Sequence, residues 1–425
     1  TASFVGTSTS NLGSDWTEVA GDWSRSGEKL LISATPEAEI ACTKLHQTGG
    51  TKYLVSVAVT IKTNGDVARV KINGGEQFAE IERITATCGR LRIYSAATGT
   101  AGTADDGYYG SVGITFTAET ATIIVCSAGN KVHIGTGGSP LLTVPATVTS
   151  SEVLFGTGAC TGDVLFDEVI FSKHHDDDAT CPACGNEGCV WFSDSGCASG
   201  SLSATDYTVT GTWAYLNGLK CPADGAITVA VAQPLGLATF GTYAVVAPPT
   251  SGVSVKLYYD STANIYAEVD YYVYGASHAR VRFFAGGVQY GRTMQANGYS
   301  TSLRLSICWD GTTFTMRAND GYTSLSEYIP GTPTVAQPKI AVSGISGGAS
   351  QLVTSLIATK DATDIGVSGV CLDCGIPACL NCSAGSFTSK VRIVIANLGS
   401  NVYDCVCTDL TIDLDAHDDG CHWKN

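Results

Sequence analysis

Apolar and polar residues alternate along most of this chain with a period of two, the spacing of a strand that buries one face. Tyr53 to Lys62 reads YLVSVAVTIK and is rich in β-branched residues. VARVKI, SVGITFTA, ATIIVCSA and VLFDEVIFS follow it at short intervals. The same signal returns later in SVKLYYD, YAEVDYYVYG, ARVRFFAGGVQYG and SLRLSICWDGTTFTMRA. Asn64–Gly65 and Asp106–Gly107 mark tight turns, and Asp310–Gly311–Thr312 between two alternating runs marks a hairpin. Stretches rich in Ala, Leu, Glu and Lys at helical spacing are absent. Many short strands with regular turn signals predict an all-β chain of sandwiches or barrels.

The pattern occurs twice. TEVAGDW (Thr17 to Trp23) matches YTVTGTW (Tyr207 to Trp213), and IIVCSAGNKVHI from Ile123 matches LSICWDGTTFTM from Leu305, which sets Cys126 against Cys308. GDVLFDEVIFSK ending at Lys173 matches ASQLVTSLIATK ending at Lys360. Cys181, Cys184 and Cys189 match Cys371, Cys374 and Cys379 in spacing. Four landmarks in the same order predict a duplication. The expected units are sandwiches over residues 1–175 and 191–362, with Cys-rich linkers over 176–190 and 363–383. Residues 384–425 remain as a small or partial β module. Its expected strands, Lys390 to Leu398 and Thr408 to Ala416, are too few for a sandwich, so they are expected to complete a sheet edge of another subunit by strand addition.

The opening NLGSDWTEVAGDWSRSGEKL (Asn11 to Leu30), the hairpin CWDGTTFTM and the closing strand VLFDEVIFS together resemble the concanavalin A-like lectin/glucanase jelly roll. The pattern is also similar to that of laminin-G-like domains of bacterial surface and phage tail proteins. The resemblance implies two packed antiparallel sheets, with function on a concave face or a loop rim. It leaves the function open, since that fold carries lectins, hydrolases and inert spacers. The expected fold class is all-β: tandem antiparallel β-sandwich (jelly-roll) domains with a small Cys-rich β module at the C-terminus.

The 425 residues suffice for two or three domains. A net charge of -15 argues against nucleic acid and anionic membrane surfaces as partners. No apolar run is long enough to insert into a membrane. Seventeen cysteines point to an oxidising compartment, which sets the expected location as extracellular, at a cell surface or in a virion. Their odd number leaves at least one outside intrachain pairs. No signal-peptide pattern opens the chain, and a start at Thr1 fits either a processed terminus or a start chosen for expression.

The disulfide candidates are Cys126, Cys160, Cys181, Cys184, Cys189, Cys308, Cys371, Cys374, Cys379, Cys382, Cys405, Cys407 and Cys421. Cys88 or Cys160 would pair with Cys126, and Cys221 or Cys197 with Cys308. Four thiols within Cys371–Cys382 match a zinc site in number, but their spacing is cramped, so bridges are preferred to metal. A glycosidase of this fold needs paired carboxylates facing the sugar. Glu268 and Asp270 share a strand face, in one repeat only, beside Tyr271 and Tyr272, where the ordinary reading is a polar outer surface. Asp167 and Glu168 should point to opposite faces. No nucleophile–His arrangement stands out, and no catalytic residue is expected.

No cofactor is expected, with calcium as the cation candidate at Asp413, Asp415, Asp418 and Asp419. That run lacks the glycine and terminal Glu of an EF-hand loop, and a solvated loop is the plainer reading, as it is for His174 to Thr180. Tyr259, Tyr272 and Tyr274 are the candidates for stacking on sugar, against the ordinary role of tyrosine as a strand former. Trp23 and Trp213 recur in both repeats, as core residues do. The reading is a non-catalytic structural subunit of an extracellular assembly: a surface filament, a coat or a phage fibre. It would self-associate by strand addition or through the C-terminal module. The alternative is a glycan-binding adhesin with carbohydrate as partner, followed by a glycoside hydrolase of the same fold.

Overall fold

A computed structural model describes residues 16–26, 29–33, 35, 37–42, 52–75, 77–95, 108–128, 131–136, 142–173, 190–230, 240–247, 252–260, 264–274, 276–297, 302–309, 313–319, 324–330, 338–346, 350–359, 363–365, 371–373, 392–394 and 404–406. The chain divides into two compact units, Thr1–Ile365 and Gly366–Asn425. The described residues are almost wholly strand, paired antiparallel in nearly every case, and the fold class is all-β sandwich. No helix among them is long and apolar enough to cross a membrane.

The first half of unit one contributes β1 (Trp16–Ala20), β2 (Ser24–Ser26), β3 (Lys29–Ser33), β4 (Ala38–Cys42), β5 (Lys52–Ile61), β6 (Val67–Ile72) and β7 (Gln77–Arg83). It continues with β8 (Cys88–Ser95), β9 (Tyr108–Thr115), β10 (Thr120–Ala128), β11 (Lys131–Gly135), β12 (Leu142–Pro145), β13 (Val153–Thr157) and β14 (Asp163–Lys173). The second half contributes β15 (Val190–Asp194), β16 (Gly200–Ser201), β17 (Tyr207–Thr210), β18 (Ala214–Tyr215), β19 (Leu219–Cys221), β20 (Gly225–Val229), β21 (Phe240–Val246) and β22 (Ser254–Asp260). It continues with β23 (Ile265–Tyr274), β24 (Ala276–Ala285), β25 (Val288–Asn297), β26 (Leu303–Trp309), β27 (Thr313–Asn319), β28 (Ser324–Pro330), β29 (Lys339–Ser343) and β30 (Gln351–Thr359).

In the first half one sheet runs β1-β4-β13-β6-β7-β8-β9 and the other β12-β11-β10-β5-β14-β3-β2. In the second half the orders are β17-β20-β29-β22-β23-β24-β25 and β28-β27-β26-β21-β30-β19-β18. Every strand of the first pair of orders is replaced by the strand sixteen places later. Each half encloses its own core. Val55, Val57, Val59 and Ile61 of β5 face Val70, Ile81 and Leu91 in one; Val255, Leu257, Val269 and Phe283 pack with Leu305, Ile307 and Leu356 in the other. Burying one such side chain contributes about 1.5–3 kcal/mol.

The Gly-x-Trp that opens each half has a common cause. Gly21 and Gly211 adopt φ of +85° and +82°, which only glycine takes without strain. A Cβ at Gly21 would sit 2.6 Å from that of Ala38, and one at Gly211 would sit 2.6 Å from the Asp224 carbonyl oxygen. The turn drops Trp23 and Trp213 into the two cores. One expectation about face is corrected. A bulge in β14 between Asp167 and Ile170 holds Glu168 at φ +49°, so Asp167 and Glu168 both lie outside while Phe166 and Val169 are buried.

The two halves are joined edge to edge. β15 pairs in parallel with β9, Phe192 opposite Ser111, and antiparallel with β30, so one sheet runs from the first half into the second. In unit two, Arg392–Val394 pairs with Asp404–Val406, Ile393 opposite Cys405. The second of these strands precedes the expected Thr408 to Ala416, which lies outside the described residues.

Candidate functional site

A buried polar cluster sits where the first half's β6–β9 sheet turns its outer face toward the second half. Strand alternation puts Ala68, Ile81 and Leu91 in the core and sends Arg69, Glu80, Glu82, Arg90 and Arg92 outward. Outward here does not mean exposed. Arg90 and Arg92 are 0% and 1% accessible, and Asp206, just before β17, is 0%.

Asp206 accepts from Arg92 Nε at 3.1 Å and Nη2 at 2.8 Å, and from the Tyr108 hydroxyl at 2.5 Å. Arg92 also meets Glu80 at 2.9 Å, Ser203 at 3.0 Å and Glu82. Arg90 lies 3.4 Å from Asp206 and 3.3 Å from Asp194, donates to the Ser193 carbonyl at 2.8 Å, and covers the Phe192 ring at 4.9 Å. Asp194 accepts from Tyr207 at 2.5 Å and Tyr215 at 2.8 Å, and its other oxygen caps the Gly196 N–H at 2.7 Å.

Three arginines (69, 90 and 92) thus meet four carboxylates (80, 82, 194 and 206), and the hydrogen bonds satisfy charges that would otherwise be too costly to bury. Burial alone would raise the Asp206 carboxyl, but Arg92 and Arg90 hold it well below the usual carboxylate range. Burial alone would lower Arg90, but Asp206 and Asp194 raise it. Burial and then Asp194 push the Tyr207 and Tyr215 phenols far up, so both stay protonated near neutrality. The Cys88–Cys197 disulfide clamps the same junction. A depression of about 220 Å³ beside it is lined by Thr87, Arg90, Gly113 and Asp194 among others, small for an organic ligand.

The second half carries the same outer face at the same ladder positions. Phe78 lies opposite Tyr94 in the first half, as Tyr266 lies opposite Phe284 in the second. Arg69–Glu80–Arg92 is matched by Lys256–Glu268–Arg282, and Glu82–Arg90 by Asp270–Arg280. The sequences are FAEIE against YAEVD, and RLRIY against RVRFF. The carboxylate pair is therefore present in both halves, which corrects the expectation that Glu268 and Asp270 had no counterpart.

On the second face an aromatic row crosses three strands, with Tyr258–Tyr266 centroids at 4.9 Å and Tyr266–Phe284 stacked at 4.7 Å. Lys339 lies 5.3 Å over Tyr258 and Lys256 5.0 Å over Tyr266. Burial, then Tyr266 and Glu268, push the Tyr258 phenol up. Arg282 donates to Glu268 at 2.9 Å and to Asp270 at 3.1 Å, Arg280 Nε to Asp270 at 2.9 Å, and Ser254 to Glu268 at 2.8 Å. Both carboxylates are engaged by cations, a stabilising ladder rather than an acid and a nucleophile poised over a sugar. The two faces differ in cover. The Arg280 and Arg282 side chains are 36% and 22% exposed, against 1% for Arg90 and Arg92.

The remaining sequence candidates fall as follows. Tyr259 is 2% exposed and meets the Phe314 ring edge to face at 5.2 Å, so the outward tyrosine of that pair is Tyr258. Tyr272 and Tyr274 lie on β23 opposite His278 and Ala276, with side chains outside the described residues. Cys126 and Cys308 are disulfide-bonded. Cys88 and Cys197, offered as their partners, bond to each other instead, because β8 and the loop after β15 meet at the junction. Cys160, expected in a bridge, is a buried free thiol, as is Cys221. Cys371 and Cys405 lie on short strands, their side chains outside the described residues. His174 to Thr180, Cys181, Cys184, Cys189, Cys374, Cys379, Cys382, Cys407, Asp413, Asp415, Asp418, Asp419 and Cys421 also lie outside them. Among the described residues no group of His, Cys, Asp and Glu is arranged to hold a metal ion.

No protein-family model and no curated protein matches the chain. Solved structures similar to part of it include a carbohydrate-binding module, CBM66, from Bacillus subtilis, at 13% identity over 37% of this chain and 96% of that one, with a TM-score of 0.27. A legume lectin-like domain from Entamoeba histolytica is similar at 12% identity over 36% and 89%, with a TM-score of 0.28. The exoplasmic/lumenal domain of VIP36 in its Ca2+/Man2-bound form is similar at 12% identity over 41% and 90%, with a TM-score of 0.29. A likeness of this strength does not carry a binding site with it.

Proposed function

We propose that this protein is a non-catalytic, extracellular or surface-located docking module, built of two copies of a lectin-like jelly-roll sandwich and working through the outer β22–β25 face of the second. One observation carries the reading. The same face in the first half is already a docking surface, buried under the second half through Asp206, Asp194 and Tyr207. The second copy keeps its rings, arginines and carboxylates in the same register and stands half-exposed. The matching strand orders support duplication as the origin of both faces, and the disulfides support an oxidising compartment. Because Tyr266 and Phe284 stack on each other, their faces are spent within the row, as suits a protein partner.

A second reading, glycan binding, is favoured by the half-exposed Tyr258 and Tyr266, whose rings lie under Lys339 and Lys256. The test compares wild type with Arg282→Glu and Tyr266→Ala, by electron microscopy of the native protein and on a glycan array. Ordered assemblies lost in Arg282→Glu support protein docking. A glycan held by wild type and lost in both variants makes the ligand a sugar. Wild type that neither assembles nor binds a glycan overturns both readings.

A further inference from the structure

We infer that the open face of the second sandwich receives the N-terminal edge of the first sandwich of another copy, joining copies head to tail. This names the partner of the docking face proposed above and rests on that reading.

The junction inside the chain shows what such a face accepts: the segment entering β17, with Asp206 on the arginines and Tyr207 behind it. The strand at the start of the first half is built in the same register. Trp16 lies opposite Cys42 as Tyr207 lies opposite Val229, and Ala20 opposite Glu39 as Thr210 opposite Ala226. A bulge between Glu18 and Ala20 absorbs one extra residue. Trp16 therefore takes the place of Tyr207, and the residue before it in sequence is Asp15, as Asp206 precedes Tyr207.

Charge and exposure match. Thr17 and Glu18 are exposed, and Val19 is 56% exposed. The receiving face offers Lys256, Arg280 and Arg282 at 30%, 36% and 22%. Arg92 Nε donates to Asp206 at 3.1 Å, whereas Arg282 Nε, at the same ladder position, is buried and has no hydrogen-bond acceptor among the described residues. One sequence difference sets the kind of bond. Two residues before Arg90 stands Cys88 of the disulfide, and two residues before Arg280 stands His278. The joint between copies lacks that covalent clamp, so it is reversible and weakens with salt. Face and edge are different surfaces, and a contact of that kind repeats into an open chain unless the rotation closes a ring.

The experiment uses the full chain with p-benzoylphenylalanine placed at Val288, which is 60% exposed at the start of β25. Irradiation should yield a ladder of cross-linked oligomers whose joined peptides include the segment from Asn11 to Asp22. Arg280→Glu with Arg282→Glu should cut the yield about tenfold or more, a change of 1.4 kcal/mol. Adding Asp15→Lys to that variant should restore part of it. A thermal melt keeps the test honest, and Arg282→Gln replaces the pair if the double variant unfolds. Cross-links between copies that fall elsewhere overturn this occupant and leave the docking face standing. A chain that stays monomeric, with no joined copy, overturns the inference, and the assemblies seen by microscopy then decide the broader reading separately.

Discussion

Asp206→Asn isolates one charge with almost no change of shape. The carboxylate is inaccessible, 2.8 Å from Arg92 Nη2 and 3.4 Å from Arg90 Nε. At an effective dielectric of about 20 these separations give gross attractions of roughly 5–6 kcal/mol each. Desolvation offsets much of that, and removing one partner of a buried ion pair costs about 3–5 kcal/mol net. Asparagine keeps an acceptor and the packing, so a loss in that range is expected at neutral pH. Asp270→Asn is the comparison on the open face, where solvent screens Arg280 and about 1 kcal/mol is expected. Urea unfolding is followed by the fluorescence of the buried Trp191 and Trp213. The pH dependence gives a second check. The folded carboxyl of Asp206 is held below its ordinary value, so its stabilisation is fully present above the unfolded value of about 4 and is lost as pH falls further. Wild type and Asp206→Asn should therefore differ by a constant amount from about pH 5 to 8 and converge in acid. A loss no larger than that of Asp270→Asn, or a gap that persists undiminished in acid, refutes the reasoning.

Replacing Cys88 and Cys197 together by Ser should cost about 3–5 kcal/mol in the same unfolding assay, since the bridge closes a long loop. Trp23→Ala and Trp213→Ala should each lose about 3–5 kcal/mol, because both rings fill the core after a glycine turn. Gly196→Ala should destabilise the junction by at least about 1 kcal/mol, as φ is +77° and a Cβ would lie 2.2 Å from Gly218 Cα; a variant as stable as wild type contradicts that. Cys160 and Cys221 should resist a thiol reagent until the protein is unfolded, and rapid labelling of the native state would show that they are not shielded.

Strand alternation was legible because a half-buried strand leaves a period of two. In SVKLYYD, Ser254 and Lys256 mark the outer parity, which is where Tyr258 belongs and Tyr259 does not. The identity of the two faces was also written in the chain, as FAEIE with RLRIY and YAEVD with RVRFF, though ring and carboxylate exchanges blur it. Three things were not legible. The burial of Arg92 depends on Asp206, 114 residues downstream. The Cys88–Cys197 bridge links the two halves, and spacing alone cannot choose among pairings. The bulge at Asp167–Glu168 adds a residue without any Gly or Pro to announce it.

The bridge has a mechanical consequence. When the two ends of the chain are pulled apart, tension arriving at Cys88 passes through sulfur to Cys197 and bypasses the backbone between them. A sequence separation of 109 residues would otherwise release roughly 370 Å of extended chain. That length stays locked under load while the bridge is oxidised, and reduction makes it available, so redox state sets how far this part of the chain can extend.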